Sequence, residues 1–389
     1  MAGATDSGEE LIERARALAP LLAAEAAESE RLRQPTDTAI RALEEAGLFE
    51  LMVPRRFGGR ELDLDTFLEV GLALGEGDAS LAWVTTFYIE HCWILCQFPE
   101  AFQKELFADR SYVLAPGSIT PSGKGKREGG GYRLSGRWAW GTGVMHADWV
   151  IVGAVLADAD GNPDPRFFAV PIGQVEVEDT WYVDGMVGTG SNDMLVEDVW
   201  VPEERSMPIL PVSAGRGPGA EIHDGPLYRT PMLPILALAA TMPALGQARA
   251  ALARFRTRLG ERVLFGGAGR QAEQAAAQIR LARVELGVRQ AELLLRDTVA
   301  QVMERRDAAT VEDRARWAAS YATVVDQSKR AIRSIADASG ASAHRLDDPL
   351  QRALRDVHTM SSHVVFDLDA RLELYGRVRL GLEPGLALL

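Results

Sequence analysis

The sequence predicts an α+β protein in which helices come first, strands second and helices again last. Three observations carry that expectation. Both ends are rich in Ala, Leu, Arg and Glu at helical spacing. Between Tyr112 and about Arg205 the composition changes to short β-like runs separated by Gly, Pro and Asp. No G-x-G-x-x-G opens a helix after a strand, so the strands are segregated rather than alternated in βαβ units.

Taken in order, residues 1–112 read as an N-terminal helical domain. "ELIERARALAPLLAAEAAESERLRQ" is made of strong helix formers, "PTDTAIRALEEAGLF" carries a start signal at Thr36 or Asp37, and Gly58 and Gly59 mark a loop. The middle domain, 113–226, contains the runs "YRLSGRWAW", "DWVIVGAVLA", "RFFAVPI" and "MLVEDVWVP" and closes in a polar loop rich in Gly and Pro, 211–226. Residues 227–389 return to helix through "ILALAATMPALGQARAALARFRTRL" and "RQAEQAAAQIRLARVELGVRQAELLLRD". No short-period repeat is present.

A chain of 389 residues, 47% of them hydrophobic, is long enough to bury a large core in two or three domains. A formal net charge of -13 without a basic stripe opposes nucleic acid as a partner. The two cysteines, Cys92 and Cys96, stand four apart in an apolar helical run where disulfide geometry is poor, which points to a reducing cytoplasm. The opening residues lack the basic then apolar pattern of a signal peptide. The most apolar window, Leu81 to Phe98, carries Glu90 and His91 at its middle, where a membrane span would suffer most from charge, so it reads as a buried helix and no membrane is expected. No H-E-x-x-H or other histidine and cysteine spacing suggests a metal.

Residues 136–149, "GRWAWGTGVMHADW", place three tryptophans, three glycines and a threonine where a packed strand needs no glycine. Trp140 offers an aromatic face, Thr142 a hydroxyl, and Gly141 and Gly143 allow backbone amides to approach a planar ligand closely. The plainer alternative is a β-hairpin corner around a core tryptophan. His91, inside its apolar run, needs either a partner or a task.

Four stretches together resemble the acyl-CoA dehydrogenase fold, and more narrowly its branch of two-component flavin-dependent monooxygenases. They are "LSGRWAWGTGVMHADWVIVGA" (134–154), "GMVGTGSNDMLVEDVWVPEERS" (185–206), "GASAHRLDDPLQRALRDVHTMSSH" (340–363) and "APGSITPSGKGKREGGGYRLSGRW" (115–138). The resemblance implies a helical N-terminal domain, a β-barrel-like middle domain and a C-terminal four-helix bundle. It also implies a homotetramer, a dimer of dimers. Trp140 and Thr142 match the positions that contact the flavin, and Ser191 and Asn192 stand where the middle domain lines it. Arg262 and Arg270, with Arg258 nearby, fall where the family often holds the flavin phosphate or nucleotide tail.

The dehydrogenase branch needs a carboxylate base to remove a proton α to a thioester. Neither family position supplies one: "VHTMSSHVVF" follows Arg355 and Asp356, and no Asp or Glu occurs from Thr230 to Gly260. The oxygenase branch uses histidine and hydroxyl groups around a flavin C4a-hydroperoxide, and His91, Ser118, Thr142 and His363 match those positions. His363 is expected on a second, partly buried flank of a C-terminal helix whose main apolar stripe is Val357, Met360, Val364 and Leu368. His358, about 140° away on that helix, is expected at the surface. His223 is expected in a polar loop. The resemblance thus implies an oxygenase component that takes reduced FMN or FADH2 from a separate NAD(P)H-dependent flavin reductase and O2 as co-substrate, and hydroxylates a small aromatic or phenolic molecule. Oxidation of nitrogen or sulfur, a flavin dehydrogenase with an unusual base, and a non-catalytic helical module are the rival readings.

Overall fold

The computed structural model describes residues 8–157, 160–263 and 269–385. Five helices come first: α1 (Gly8–Leu32), α2 (Asp37–Glu45), α3 (Leu64–Gly77), α4 (Ala79–Leu95) and α5 (Glu100–Leu106). Short polar side chains set their starts by accepting the free amides of the first turn. Thr36 caps α2 through the Ala39 amide at 3.1 Å, and Asp78 caps α4 through the Leu81 amide at 3.0 Å.

The middle segment contributes seven strands: β1 (Gly117–Glu128), β2 (Gly131–Gly141), β3 (Trp149–Ala157), β4 (Pro163–Pro171), β5 (Glu176–Glu178), β6 (Asn192–Pro202) and β7 (Ser206–Pro208). They form one mixed sheet in the order β5-β6-β2-β1-β3-β4-β7, with β1 and β3 parallel and the other pairs antiparallel. The barrel-like expectation thus takes the form of a curved ladder whose hydrogen bonding runs from β5 to β7. Its own core centres on Trp138, whose indole N–H donates to the Gly153 carbonyl at 2.8 Å.

The expected loop at 211–226 instead holds two short helices, α6 (Ile209–Ser213) and α7 (Pro218–Ile222). His223, just after α7, is buried and pairs through Nε2 with Gln103 Oε1 at 2.9 Å, so its surroundings are not polar loop. Then come α8 (Met232–Glu261), α9 (Ala275–Arg305), α10 (Val311–Ser339), α11 (Pro349–Met360) and α12 (Leu368–Arg379), of which the first four pack as a bundle. Among the described residues α8 is the one helix long and apolar enough to cross a membrane, and 83% of its apolar window is buried inside the protein. Its neighbours there include α3 and α4, tied by Gln247 Nε2 to the Gly75 carbonyl at 2.7 Å and by Thr86 Oγ1 to the Ala239 carbonyl at 3.0 Å. The helices of both ends therefore share one hydrophobic core. That core leaves α4, the end of β2 and the end of α11 beside one another.

Candidate active site

The end of β2 is distorted. Its pairing with β6 slips between Trp138 and Gly141, and within that slip Trp140 has φ 67, a left-handed backbone that bulky residues rarely adopt. The consequence is a tryptophan turned out of the sheet, 66% exposed while its neighbour Trp138 is buried. Strain of this kind costs about 1–3 kcal/mol and persists where the surroundings impose it, commonly at ligand sites. Immediately after it, Thr142 is buried, and its hydroxyl lies 3.1 Å from Ser191 Oγ. Ser191 Oγ lies 2.7 Å from Thr189 Oγ1, which donates to the Met186 carbonyl at 2.9 Å.

The glycines here are packed closely against protein. The Gly143 amide donates to the Thr189 carbonyl at 2.9 Å, so it is committed to protein. A Cβ on Gly143 would stand 2.5 Å from the Tyr88 hydroxyl oxygen, and one on Gly141 2.8 Å from Met194 Sδ. Gly141 is crowded by β6 and Gly143 by α4. The Asn192 Oδ1 is likewise committed to protein: it accepts the Thr180 and Trp181 amides, each at 3.0 Å, and so fixes the loop before the left-handed turn at Met186.

Facing this end of the sheet is α4, which is apolar all round because it is buried all round. Trp83, Phe87 and His91 recur every fourth residue, so their side chains share a face. Trp83 and Phe87 stack with ring centroids 4.6 Å apart, His91 meets the edge of Phe87 at 5.7 Å, and His363 meets the edge of Trp83 at 5.8 Å. The two histidines singled out by sequence thus bracket one aromatic wall. Ser118 lies on β1 opposite Val152, one residue from Gly117, where a Cβ would stand 2.9 Å from His91 Nε2.

His91 is 2% exposed and both ring nitrogens are engaged: Nδ1 with the Ala115 carbonyl at 2.7 Å, Nε2 with Glu90 Oε1 at 3.1 Å. A carbonyl can only accept, so Nδ1 carries its hydrogen and Nε2 faces the Glu90 carboxyl. Glu90, equally buried, leaves Oε2 without a hydrogen-bond partner among the described residues. Sequence reasoning noted Glu90 only as a charge in an apolar run; adjacent residues on a helix point about 100° apart, so nothing in the spacing signals the pair.

His363 is not on the helix that carries His358. That helix, α11, ends at Met360, and His363 caps a short turn, Val364–Phe366, by accepting the Val365 amide on Nδ1 at 3.3 Å. The expected stripe fails there, since Val364 is 72% exposed, whereas His358 is exposed as anticipated. Burial, with a smaller contribution from the Arg371 guanidinium, pushes His363 down to about 4. It stands as a neutral imidazole with Nε2–H as a donor, and acceptance of a substrate proton on Nδ1 requires release of Val365.

Arg262 and Arg270 are not brought to this place within one chain. Arg262, just past α8, reaches the Ser339 carbonyl at 3.2 Å, and Arg270 is exposed. At 1.5 Å per residue, the 23 residues from Ala239 to Arg262 put the latter about 35 Å along α8.

The arrangement suits a flat, partly hydrophobic cofactor. It offers one exposed indole, one hydroxyl at the foot of that indole, and an aromatic wall leading to a neutral imidazole. Comparison with known proteins agrees. Residues 238–368 match the family described as acyl-CoA dehydrogenase, C-terminal domain. A pigment production hydroxylase of a Rhodococcus species is 35% identical over 96% of this chain and 97% of its own. The oxygenase component of an FADH2-dependent resorcinol hydroxylase from a Rhizobium species is 33% identical over 96% and 95%. Among solved structures, the HsaA monooxygenase of Mycobacterium tuberculosis superposes with a TM-score of 0.92 at 29% identity, covering 99% of this chain and all of that one. XiaF from a Streptomyces species, in complex with FADH2 and glycerol, gives 0.91 at 29% identity over 98% of each chain. With this site on this fold and likeness along nearly its whole length, the chain belongs to the flavin-dependent monooxygenases of acyl-CoA dehydrogenase fold that serve as oxygenase components of two-component systems.

Proposed function

We propose that the protein binds reduced FMN or FADH2 against Trp140 and Thr142 and hydroxylates a small phenolic substrate lying along the Trp83–Phe87 wall toward His363. The observation that carries this is the unbroken run of rings from His363 through Trp83 and Phe87 to His91. Aromatic substrates pack on such a wall by edge and face contacts. When bound, reduced flavin supplies the electrons that activate O2 and delivers one of its oxygen atoms. The chain's own residues exclude water, orient the ring and hydrogen-bond the phenol oxygen through His363 Nε2. The resorcinol hydroxylase relative carries a phenol in its name, which agrees with this class of substrate. Ser118, next to Gly117 at the start of β1, is the remaining residue proposed for the polar lining. Ser191 acts through Thr142.

The reduced cofactor comes from a separate NAD(P)H-dependent flavin reductase in the cytoplasm. The protein works as a homotetramer, in which Arg262 and Arg270 of one copy hold the phosphate end of the flavin carried by another. Light scattering should then give about four times the 42.3 kDa of one chain.

The deciding experiment mixes the protein anaerobically with reduced FMN or FADH2 and then introduces oxygen. A transient absorbance distinct from both reduced and oxidised flavin, shortened by Thr142→Ala or His363→Ala, supports oxygenase chemistry and justifies a screen of phenols. Reoxidation at the free-flavin rate with both cofactors would refute it.

A further inference from the structure

The hydroxyl groups behind Trp140 have a direction. The Met186 carbonyl has no hydrogen, so Thr189 must donate to it, and the single hydroxyl hydrogen of Thr189 is then used. The 2.7 Å contact between Thr189 and Ser191 consequently takes its hydrogen from Ser191. The 3.1 Å contact between Ser191 and Thr142 takes its hydrogen from Thr142. Thr142 is left with lone pairs only. All three residues are buried, with Thr189 1%, Ser191 3% and Thr142 6% exposed, so water does not readily supply a competing partner. The carbonyl at the root is itself fixed. It also accepts the Trp181 indole N–H at 3.0 Å, and the amide of the same residue donates to Asp356 Oδ1 at 2.6 Å.

We infer that Thr189 and Ser191 are positioning residues that make Thr142 a hydrogen-bond acceptor, so that the site prefers a cofactor edge carrying hydrogen over one that does not. The inference rests on the proposed flavin site. Reduced flavin bears a hydrogen on N5, whereas oxidised flavin presents a bare, accepting nitrogen there. An acceptor at Thr142 therefore favours the reduced form and offers the oxidised form two facing lone pairs. The preference follows from the order of three hydroxyl groups ending on a carbonyl, with no charge involved. Product flavin is released because the group that welcomed the reduced ring has nothing to donate to the oxidised one.

The test compares dissociation constants of oxidised and, anaerobically, reduced FMN and FAD for the wild type, Thr189→Val, Ser191→Ala, Thr142→Val and the double variant Thr142→Val/Thr189→Val. The wild type should bind the reduced form more tightly. Thr189→Val frees Ser191 to donate toward Thr142 and Thr142 to donate outward, so the oxidised-to-reduced ratio should fall about fivefold, the equivalent of about 1 kcal/mol for one neutral hydrogen bond. Ser191→Ala should lower the ratio in the same sense and serves should Thr189→Val not fold. In the Thr142→Val background, Thr189→Val should change nothing further, which a merely structural role would not produce. An unmoved ratio in both single variants, or an equal fall with and without Thr142, overturns the inference alone. A wild type that binds neither form overturns the flavin site together with it.

Discussion

Gly143→Ala separates a glycine kept for protein packing from one kept for a cofactor. Gly143 has φ 76, and an added Cβ would lie 2.5 Å from the Tyr88 hydroxyl oxygen, 2.8 Å from Tyr88 Cζ and 2.9 Å from Val84 Cγ1. Tyr88 has no room to withdraw: it is fully buried, stands edge-on to Phe49 at 5.6 Å, and donates to the Gly143 carbonyl at 2.5 Å. Placing Ala in the left-handed region costs about 1–2 kcal/mol, and overpacking a rigid neighbour about 1–3 kcal/mol. A total loss of about 2–5 kcal/mol is expected in the flavin-free protein. Denaturant unfolding at fixed protein concentration should show a lower midpoint with an unchanged slope. Tyr88→Phe removes the nearest atom and one hydrogen bond. Combined with Gly143→Ala it should therefore cost less than the sum of the two single changes, while the remaining 2.8 Å contact keeps the rescue partial. The reasoning fails if flavin-free Gly143→Ala unfolds within about 0.5 kcal/mol of the wild type and loses only cofactor affinity.

Three further outcomes are expected. Trp140→Ala, at a side chain 66% exposed, should leave flavin-free stability within about 0.5 kcal/mol and weaken reduced-flavin binding about three- to tenfold; a clear drop in melting temperature without flavin would contradict this. Folded His363 sits at about 4 against 6.5 for its ordinary value, so between these pH values the unfolded chain binds the extra proton. Its contribution is present above pH 6.5 and lost as pH falls toward 4, and His363→Gln should flatten the stability curve over that window; identical curves would refute the assignment. Glu90→Ala strips His91 Nε2 of its carboxyl partner and should cost about 3 kcal/mol, whereas Glu90→Gln, which still reaches Nε2, should cost clearly less; equal losses would show that the pair does not matter.

The helical and β segments were legible because composition changes where the architecture changes, whereas the stacking of Trp83 and Phe87 between the two histidines was not read from the sequence. Trp140 and Thr142 stood out through the local density of glycine and tryptophan. Other features depend on tertiary placement that no local pattern encodes. The hydroxyl chain joins Thr142 to residues 47 and 49 positions away through the pairing of β2 with β6. The break after Met360 was invisible because Val364 and Leu368 continue a helical stripe on paper, yet the chain there turns to let His363 cap a new start. At Gly143 a sequence displays the missing side chain and hides the neighbour, here Tyr88, that crowds it.

Helix α11 is gripped near its middle and hands over to His363 at its end. Asp356 holds the Met186 amide, Arg355 Nη1 holds the Asp184 carbonyl at 2.7 Å, and a Cβ at Gly185 would run into the Arg355 carbonyl at 2.4 Å. The seven positions from Asp356 to His363 therefore work as a gauge block between the Met186 turn and the Trp83 ring. One residue inserted before Met360 would swing everything after it by about 100° and 1.5 Å, carrying the imidazole off the edge of Trp83. Loops elsewhere can lengthen to suit new substrates, but this spacer must keep its length, and any redesign of the pocket has to be built around it.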